Sequence, residues 1–385
     1  MEFVDFKIKE IAKVTAGGDK PKIVSNSYSN ETPIPIYSNG MENDGLYGYT
    51  NIPKVDADTV TISARGVNVG KVCYRETAFL PIVRLLSLIP NRSVINAKYM
   101  YYNLKMMNIS GTGSAQPQIT VPMISELKMH IHKDLIEQEK IASFLSVLDE
   151  KIKNNNRINR NLLAMSKAYF EELFVRKALP NWKVGTLSEI GTIVAGGTPS
   201  KMKEEYYTDC GIAWITPKDL SVDKSVFISH GEKDITELGL KKSSAIMMPA
   251  GSVLFSSRAP IGYIAIAAND VTTNQGFKSV VPKENVGTAY IYFLLQQLLP
   301  TIESMASGST FKEISGSAMK IVPTVIPDDD ALTTFDEFCK PMMKQIQKNE
   351  QASRYLVELR DSVLPKLMSG EIDISELDII ERLCN

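Results

Sequence analysis

The spacing of apolar residues along this chain changes period several times. Over residues 134–176, Leu145, Leu148, Ile152, Leu162, Tyr169 and Leu173 recur at helical spacing, with Asn155 and Asn159 interrupting. A second seam runs over residues 331–369 through Phe335, Phe338, Met342, Ile346, Leu356, Val363 and Leu367, interrupted at Asn349. One apolar stripe at this spacing predicts a long amphipathic helix in each stretch. Asp134, with Glu137 three residues on, has the form of an N-cap and its reciprocal acid. Pro323 and Pro327 precede the second seam and Gly370 follows it. Elsewhere the period shortens. Thr59-Val60-Thr61-Ile62-Ser63 and Ser252-Val253-Leu254-Phe255-Ser256 read as strands, and the runs 99–107 and 290–299 as short helices packed on them.

These shorter elements occur twice in the same order. Ile11-Ala12-Lys13-Val14-Thr15-Ala16-Gly17-Gly18 matches Ile190-Gly191-Thr192-Ile193-Val194-Ala195-Gly196-Gly197 at an offset of 179 residues. Ile62-Ser63-Ala64-Arg65 followed by Gly70 matches Phe255-Ser256-Ser257-Arg258 followed by Gly262. Residues 96–104 match 287–295, and Gly113-Ser114 matches Gly308-Ser309. A period this long is a duplicated domain, not a solenoid.

The expected fold is therefore α+β. Two mixed α/β globules stand in tandem, at residues 1–133 and 178–328, each followed by a long helix, at 134–177 and 329–370, with a tail at 371–385. Helices of roughly forty residues are about 60 Å long, too long to bury their seams in small globules. Packing on each other as an antiparallel coiled coil with pseudo-twofold symmetry is the expected solution; the rival is that each helix lies along its own globule.

Composition narrows the class. The 385 residues are 44% hydrophobic and 23% charged, ordinary for a globular protein and unlike a disordered or collagenous one. The formal charge of −1 is uneven. With 14 basic and 11 acidic groups residues 1–132 carry +3, and with 9 and 7 residues 133–177 carry +2. Residues 178–327, with 13 of each, are neutral, and residues 328–385, with 7 and 13, carry −6. Neutrality in sum thus does not speak against binding a polyanion. Asp328-Asp329-Asp330 suits the positive end of the second helix, and the other tail acids read as a solvated surface. No signal peptide opens the chain and no long uncharged apolar stretch predicts a membrane span. Cys73, Cys210, Cys339 and Cys384 lie far apart, so a reduced, cytoplasmic protein is expected.

Catalytic patterns fail one after another. Gly66-Val67-Asn68-Val69-Gly70-Lys71-Val72 is one residue short of a phosphate loop and has Val72 where Ser or Thr would hold magnesium. Gly111-Thr112-Gly113 lacks a third glycine because Gln116 stands there. There is no GxSxG, no HExxH and no tetrapeptide for methylating an exocyclic amine. His130 and His132 alternate in an apolar strand without a third ligand, which reads as structural and leaves no metal site. Asp149-Glu150-Lys151 has a nuclease-like fragment but reads as a solvated helix face. No catalytic residue is expected.

What remains is basic and amide residues near turns: Lys20, Lys22, Arg65, Lys71, Arg75 and Arg84 in the first copy, Lys201, Lys203, Lys218, Lys241, Lys242 and Arg258 in the second, with Gln116 and Gln118 flanking Pro117. Lys and Arg can clamp phosphates, and Arg, Gln and Asn can read base edges. Arg65 and Arg258 stand out because they hold the same place in the two copies.

The order globule, long helix, globule, long helix resembles the specificity (S) subunit of type I restriction–modification systems over nearly the whole chain. Gly113-Ser114-Ala115-Gln116-Pro117-Gln118-Ile119 is similar to the segment closing that family's first target-recognition domain, and Glu137-Gln138-Glu139-Lys140-Ile141-Ala142 to the start of its first conserved helix. Leu364-Pro365-Lys366-Leu367-Met368-Ser369-Gly370-Glu371-Ile372 resembles the end of its second helix, and Trp182-Lys183-Val184 through Gly197-Thr198-Pro199-Ser200 the opening of its second domain. Residues 308–314 lack the Gln-Pro-Gln of the first copy, and 328–334 lack the Glu-Gln pair.

The resemblance implies a chain without chemistry of its own and without a bound cofactor. Each globule reads half of a bipartite double-stranded DNA target. The helices, through Leu145, Leu148, Ile152, Leu162, Met342, Ile346, Leu356 and Leu367, set the half-site spacing and dock two modification (methyltransferase) subunits. Restriction (helicase–nuclease) subunits join them, and S-adenosylmethionine, ATP and magnesium belong to those partners. The rivals are a duplicated-domain enzyme using unrecognised carboxylates, and a coiled-coil scaffold whose globules bind protein.

Overall fold

The structure, a computed structural model, describes residues 2–111, 117–308 and 312–373. It divides into two units, Met1–Ile152 with Tyr355–Asn385, and Lys153–Arg354. The long helices are thus each shared between units, and every unit contains one globule and a segment of both helices.

In the first unit the elements run β1 (Phe3–Lys7), α1 (Ile8–Ile11), β2 (Ala12–Ala16), β3 (Ile34–Tyr37), β4 (Leu46–Thr50), β5 (Thr59–Ile62), β6 (Val72–Arg75), β7 (Leu80–Pro81), β8 (Leu86–Pro90), α2 (Ala97–Met106), α3 (Val121–Glu126), β9 (Lys128–His132) and the start of α4 (Leu135–Glu171). A sheet in the order β2-β8-β5-β6 forms the body, β4-β3-β7 a second sheet, and β1 pairs with β9. Ile62, Leu88, Tyr99 and Met100 are fully or almost fully buried in one cluster that also takes in Leu145 and Leu148 of α4 and, from the end of the last helix, Leu356, Val363 and Leu367.

The second unit repeats the plan with β10 (Lys183–Thr186), α5 (Leu187–Ile190), β11 (Gly191–Ala195), β12 (Tyr207–Thr208), β13 (Ile212–Ile215), α6 (Pro217–Val222), β14 (Phe227–Ile228), β15 (Asp234–Ile235), α7 (Glu237–Lys241), β16 (Val253–Ser257), β17 (Ile261–Ala267), β18 (Thr272–Thr273), β19 (Lys278–Pro282), α8 (Thr288–Met305), α9 (Gly316–Lys320), β20 (Pro323–Ile326) and most of α10 (Asp329–Ser369). Its main sheet, β11-β19-β16-β17-β14, has one strand more. The register repeats as well: Ala12 pairs with Pro90 and Ala16 with Leu86, while Gly191 pairs with Pro282 and Ala195 with Lys278. Gly70 and Gly262, aligned by sequence, both sit at positive φ, +86° and +96°, a conformation that L side chains resist.

Within each unit a segment of α4 meets a segment of α10, and in the second they run antiparallel. In the second, Tyr169 stacks on Phe335, Ser166 donates to Met342 Sδ (3.4 Å), and Asn155 donates to Ser353 Oγ (3.1 Å), so partner numbers rise as α4 numbers fall. In the first, Asp149 Oδ1 accepts from Arg360 at 2.6 Å. Each helix also lies on its own globule, since Leu145 and Leu148 of α4 pack on the first and Phe335 and Ile346 of α10 on the second, and each reaches the other cluster too, through Phe170 of α4 and Leu356 of α10. The two expected arrangements therefore coexist. The first helix ends in a π turn at Glu172–Arg176; the second begins at Asp329.

Several sequence readings need correction. Glu137 pairs with Lys140, not with the Asp134 backbone; Asp134 N instead donates to His132 Nδ1 (3.1 Å), while Asp134 Oδ1 accepts from Ile136 N (2.8 Å). Asp149 is not a solvated helix-face acid, because it also accepts from the Tyr102 hydroxyl at 2.8 Å. The seam at Met342 is half-open, with Cys339 and Met343 taking the buried places beside it.

Candidate nucleic-acid interface

The antiparallel pairings decide where the candidate residues lie. In the first unit β2 and β5 each run antiparallel to β8, so they run parallel to each other and their C-terminal ends share one end of the sheet. From that end leave the Gly17–Lys22 segment and the 63–71 turn, and into it returns the 82–85 turn that feeds β8. Backbone bonds knit the three together: Val83 N to Gly18 O (2.9 Å), Arg84 N to Gly17 O (3.1 Å), and Asn39 from Nδ2 to Val83 O (2.7 Å) while its Oδ1 accepts from Ala64 N (2.8 Å). Gly17 is required there, since a Cβ would lie 2.7 Å from the Pro81 carbonyl carbon. Lys20, Lys22, Arg65, Lys71 and Arg84 all fall on this end.

Their states differ. Lys20 reaches the Tyr47 hydroxyl (2.5 Å) and lies over its ring, 4.7 Å from the centroid. Lys71 pairs with exposed Asp44 at 2.8 Å. Arg65 and Arg84 form no ion pair among the described residues. Arg75 is different and leaves the set of candidates. It is 5% exposed, its guanidinium stacks 3.7 Å above the Tyr37 ring, and it donates to Thr61 Oγ1 (3.0 Å) and Asp44 O (2.8 Å). A side chain so enclosed holds β6 to the second sheet and cannot reach a ligand.

The second unit builds the same end from β11, β16 and β19. Here β11 and β16 are again both antiparallel to β19, so the Gly197–Lys203 segment, the Arg258 turn and the Asn274–Phe277 approach to β19 meet. A groove of about 880 Å³ opens at this end, lined by Lys201, Lys218, Asn274, Gln275 and Thr198 among others. It is mixed in charge. Lys218 pairs with Glu232 (2.5 Å), which holds the Glu232 carboxyl below its usual range through a hydrogen bond. Asp219 is occupied with capping, accepting from Thr216 N (2.7 Å) and Glu232 N (2.9 Å). Glu313 stands between Arg258 (3.3 Å) and the buried Lys278 (3.5 Å), so Arg258 is held where its counterpart Arg65 is not. Lys203 lies 4.0 Å from Glu205. Lys241 and Lys242 are exposed at the end of α7. Gln118 is exposed; Gln116, with the rest of Gly113-Ser114-Ala115-Gln116, lies outside the described residues, as does Ser309.

Residues that sequence reasoning passed over include Asn39, Tyr47, Asn274, Gln275 and Gln138. Polar uncharged runs between strands, such as Thr272-Thr273-Asn274-Gln275-Gly276, are the available signal. Gln138 is fully buried at the opposite end of the first sheet. It accepts from Asn96 N (2.8 Å) and donates to His132 O (2.7 Å) and Val94 O (3.1 Å), fastening α4 to its globule. In α10 the same position from the helix start is buried Leu332.

A family model described as "Type I restriction modification DNA specificity domain" matches residues 1–164 and again 180–350. The chain belongs to this family. Each match covers one copy of the repeat and most of a long helix. The type I restriction enzyme MjaIX specificity subunit of Methanocaldococcus jannaschii is 38% identical over 199 residues, 49% of this chain and 45% of that one. The type I restriction enzyme HindI specificity subunit of Haemophilus influenzae is 23% identical over 367 residues, 74% of this chain and 79% of that one. The chain thus spans less than half of the first of these specificity subunits and most of the second. A crystal structure of a type I restriction–modification S subunit from M. genitalium has the same fold, with a TM-score of 0.66 at 17% identity, covering 95% of this chain and 96% of that one.

Two negative observations accompany the match. Among the described residues no group of three His, Cys, Asp or Glu is placed to hold a metal ion, and no helix is long and apolar enough to cross a membrane. The histidines of β9 flank one ring: His130 stacks on Phe3, with its Nδ1 2.7 Å from the accepting Asp5 Oδ1, while buried His132 meets Phe3 edge-on.

The seam residues assigned to partner docking also need a correction. Leu145, Leu148, Ile346, Leu356 and Leu367 are buried in the cores of their own units, and Ile152 and Leu162 pack on those cores. The five buried ones hold this chain together and offer no surface to another, while Ile152 and Leu162 are half-buried. The exposed apolar positions on α4 are Ile136 and Val147 in the first unit and Ile158 and Met165 in the second. Spacings of eleven and seven residues each return to the same helix face.

Proposed function

We propose that this chain is the DNA specificity subunit of a type I restriction–modification complex, with each globule reading one half of a bipartite double-stranded DNA target. The observation that carries this is the double family match, in which both copies gather their basic and amide side chains at the same end of the main sheet. Phosphate contacts from Lys20, Lys22, Lys71, Lys201 and Lys218 would hold the backbone, and Arg65, Arg84, Arg258 and Gln275 would read base edges. Lysines already paired to Asp44 or Glu232 can exchange a surface carboxylate for phosphate at little cost, because solvent screens exposed pairs.

The long helices set the spacing between half-sites in this reading, and two modification subunits dock on their outer faces, with Ile136, Val147, Ile158 and Met165 as apolar contacts. Two modest binding sites on a stiff connection multiply their affinities only where the half-site spacing fits. Chemistry and its cofactors belong to the partner subunits. The test is selection of bound duplexes from a random DNA library by the full chain co-expressed with its modification subunits. Two short conserved blocks separated by a fixed unconserved spacer are expected.

A further inference from the structure

Three candidates stand out beyond this reading: the Glu313 carboxylate between two cations, the apolar cavity of about 270 Å³ lined by Phe174, Trp182 and Tyr290, and the exposed apolar tips beside the basic loops. The third carries furthest, because it recurs independently in the two copies. Counted from the second glycine of each Gly-Gly turn, the fourth residue is lysine in both, Lys22 and Lys201, and the fifth is apolar in both, Ile23 and Met202. The offset is the same 179 residues that separates the two Gly-Gly turns. Met202 is 93% exposed, the highest value of any large apolar residue among those described, and Ile23 is 50% exposed. Both loops leave from the end of the sheet where the basic residues gather.

We propose that Ile23 and Met202 are equivalent specificity residues, each making the apolar contact to a thymine 5-methyl group in its own half-site. This rests on the DNA-reading function proposed above. The adjacent lysine brings the loop to the backbone, and the next side chain then reaches a base edge; a thymine methyl is the one apolar feature the major groove displays. A wedge between base pairs is not the role that fits, because a wedge must be braced from behind. Met202 lies in a turn with almost no surface covered, and an unbranched thioether adapts to a surface more readily than it forces one open. The loops are otherwise well held. Ser25 exchanges backbone hydrogen bonds with Tyr49 (2.9 and 2.8 Å), and Tyr207 donates to Pro199 O (2.7 Å).

The experiment compares Met202→Ala, Ile23→Ala and Lys201→Ala in the full chain assembled with its modification subunits, first by random-library selection and then on probes with deoxyuridine in place of single thymines. Met202→Ala should lower discrimination about five- to tenfold at one or two positions of one half-site, and Ile23→Ala at positions of the other. Deoxyuridine at those positions should weaken the parent about as much and leave the alanine variant unaffected. Lys201→Ala should weaken binding to all sequences alike. If Lys201→Ala weakens binding while Met202→Ala leaves the selected motif and the uracil response unchanged, the methyl contact is wrong and the DNA-reading face stands. The proposal is equally overturned if both apolar variants alter the same half-site. Where none of the three variants changes DNA binding, the reading of this face falls with it.

Discussion

Asn349 donates through Nδ2 to Oδ1 of Asn159 at 2.8 Å, and both side chains are buried where α10 meets α4 in the second unit. Each amide finds further partners. Gln345 donates to Asn349 Oδ1 (2.7 Å), and Asn159 donates to the Ile346 carbonyl at 3.5 Å. The interruptions in the two hydrophobic seams are thus each other's partners. Replacing Asn159 alone by leucine should cost about 1–3 kcal/mol, because the Asn349 amide is left buried without its partner. Replacing both by leucine should recover most of that loss. Urea unfolding of the two single variants and the double one measures the coupling; strictly additive losses would show that the amides do not interact.

Asp149 serves the first unit in a comparable place. Its carboxylate takes both Arg360 (2.6 Å) and the Tyr102 hydroxyl (2.8 Å), joining α2, α4 and α10. Burial and the nearby Asp149 charge push the Tyr102 hydroxyl far above its ordinary value, so it remains a donor at every working pH. Asp149→Asn should destabilise the protein by about 1–3 kcal/mol. Lys183→Ala, which breaks the exposed pair with Glu189, should leave stability nearly unchanged, because solvent screens such a pair. Equal losses in the two variants would mean that Asp149 is as solvated as its sequence context suggested.

How much of this was legible follows from what each signal encodes. Helical periodicity reports which face is buried, and it placed both long helices within a few residues of their observed ends. It also located Asn155, Asn159 and Asn349 as exceptions. It could not say that a helix face is shared between a globule and another helix, because both demand the same apolar stripe. Charge type and turn context put Lys20, Lys22, Arg65, Lys71, Lys201, Lys218 and Arg258 among the candidates, and the strand pairings bring most of them to one end of a sheet. The same reasoning failed at Arg75. Nothing in a single sequence distinguishes an arginine over Tyr37 from one facing solvent. Gln138 was visible only as part of a family-like motif, since a buried amide serving three backbone groups leaves no periodic trace.

Asp328 gives a pH-dependent signature. Its carboxyl accepts from Ala331 N (2.9 Å) and from the Trp182 indole (3.0 Å), and these hydrogen bonds hold it below the usual carboxylate range. The folded protein therefore keeps Asp328 charged to lower pH than the unfolded chain does. Its contribution is complete above the ordinary aspartate range and is lost as pH falls below that range, through the depressed value of the folded state. An acid titration of indole fluorescence should show a transition below that range, and Asp328→Asn should remove it. A transition unchanged in the variant would assign it to another group.

Arg75 and Lys201 should separate cleanly. Arg75→Ala removes a buried guanidinium with two hydrogen bonds and a ring contact, and should lower stability by about 2–4 kcal/mol. Lys201→Ala should leave the melting temperature unchanged and reduce the slope of log affinity against log salt by about 1. Loss of DNA affinity in Arg75→Ala without loss of stability would return that residue to the binding face.

In the proposed function one chain carries two independent readers. Exchanging residues 1–133 for the corresponding domain of another specificity subunit, followed by random-library selection with the modification subunits present, tests it most directly. A bipartite motif is expected in which one block changes while the other block and the spacer length are kept. Changes in both blocks, or a single uninterrupted motif before and after the exchange, would contradict it.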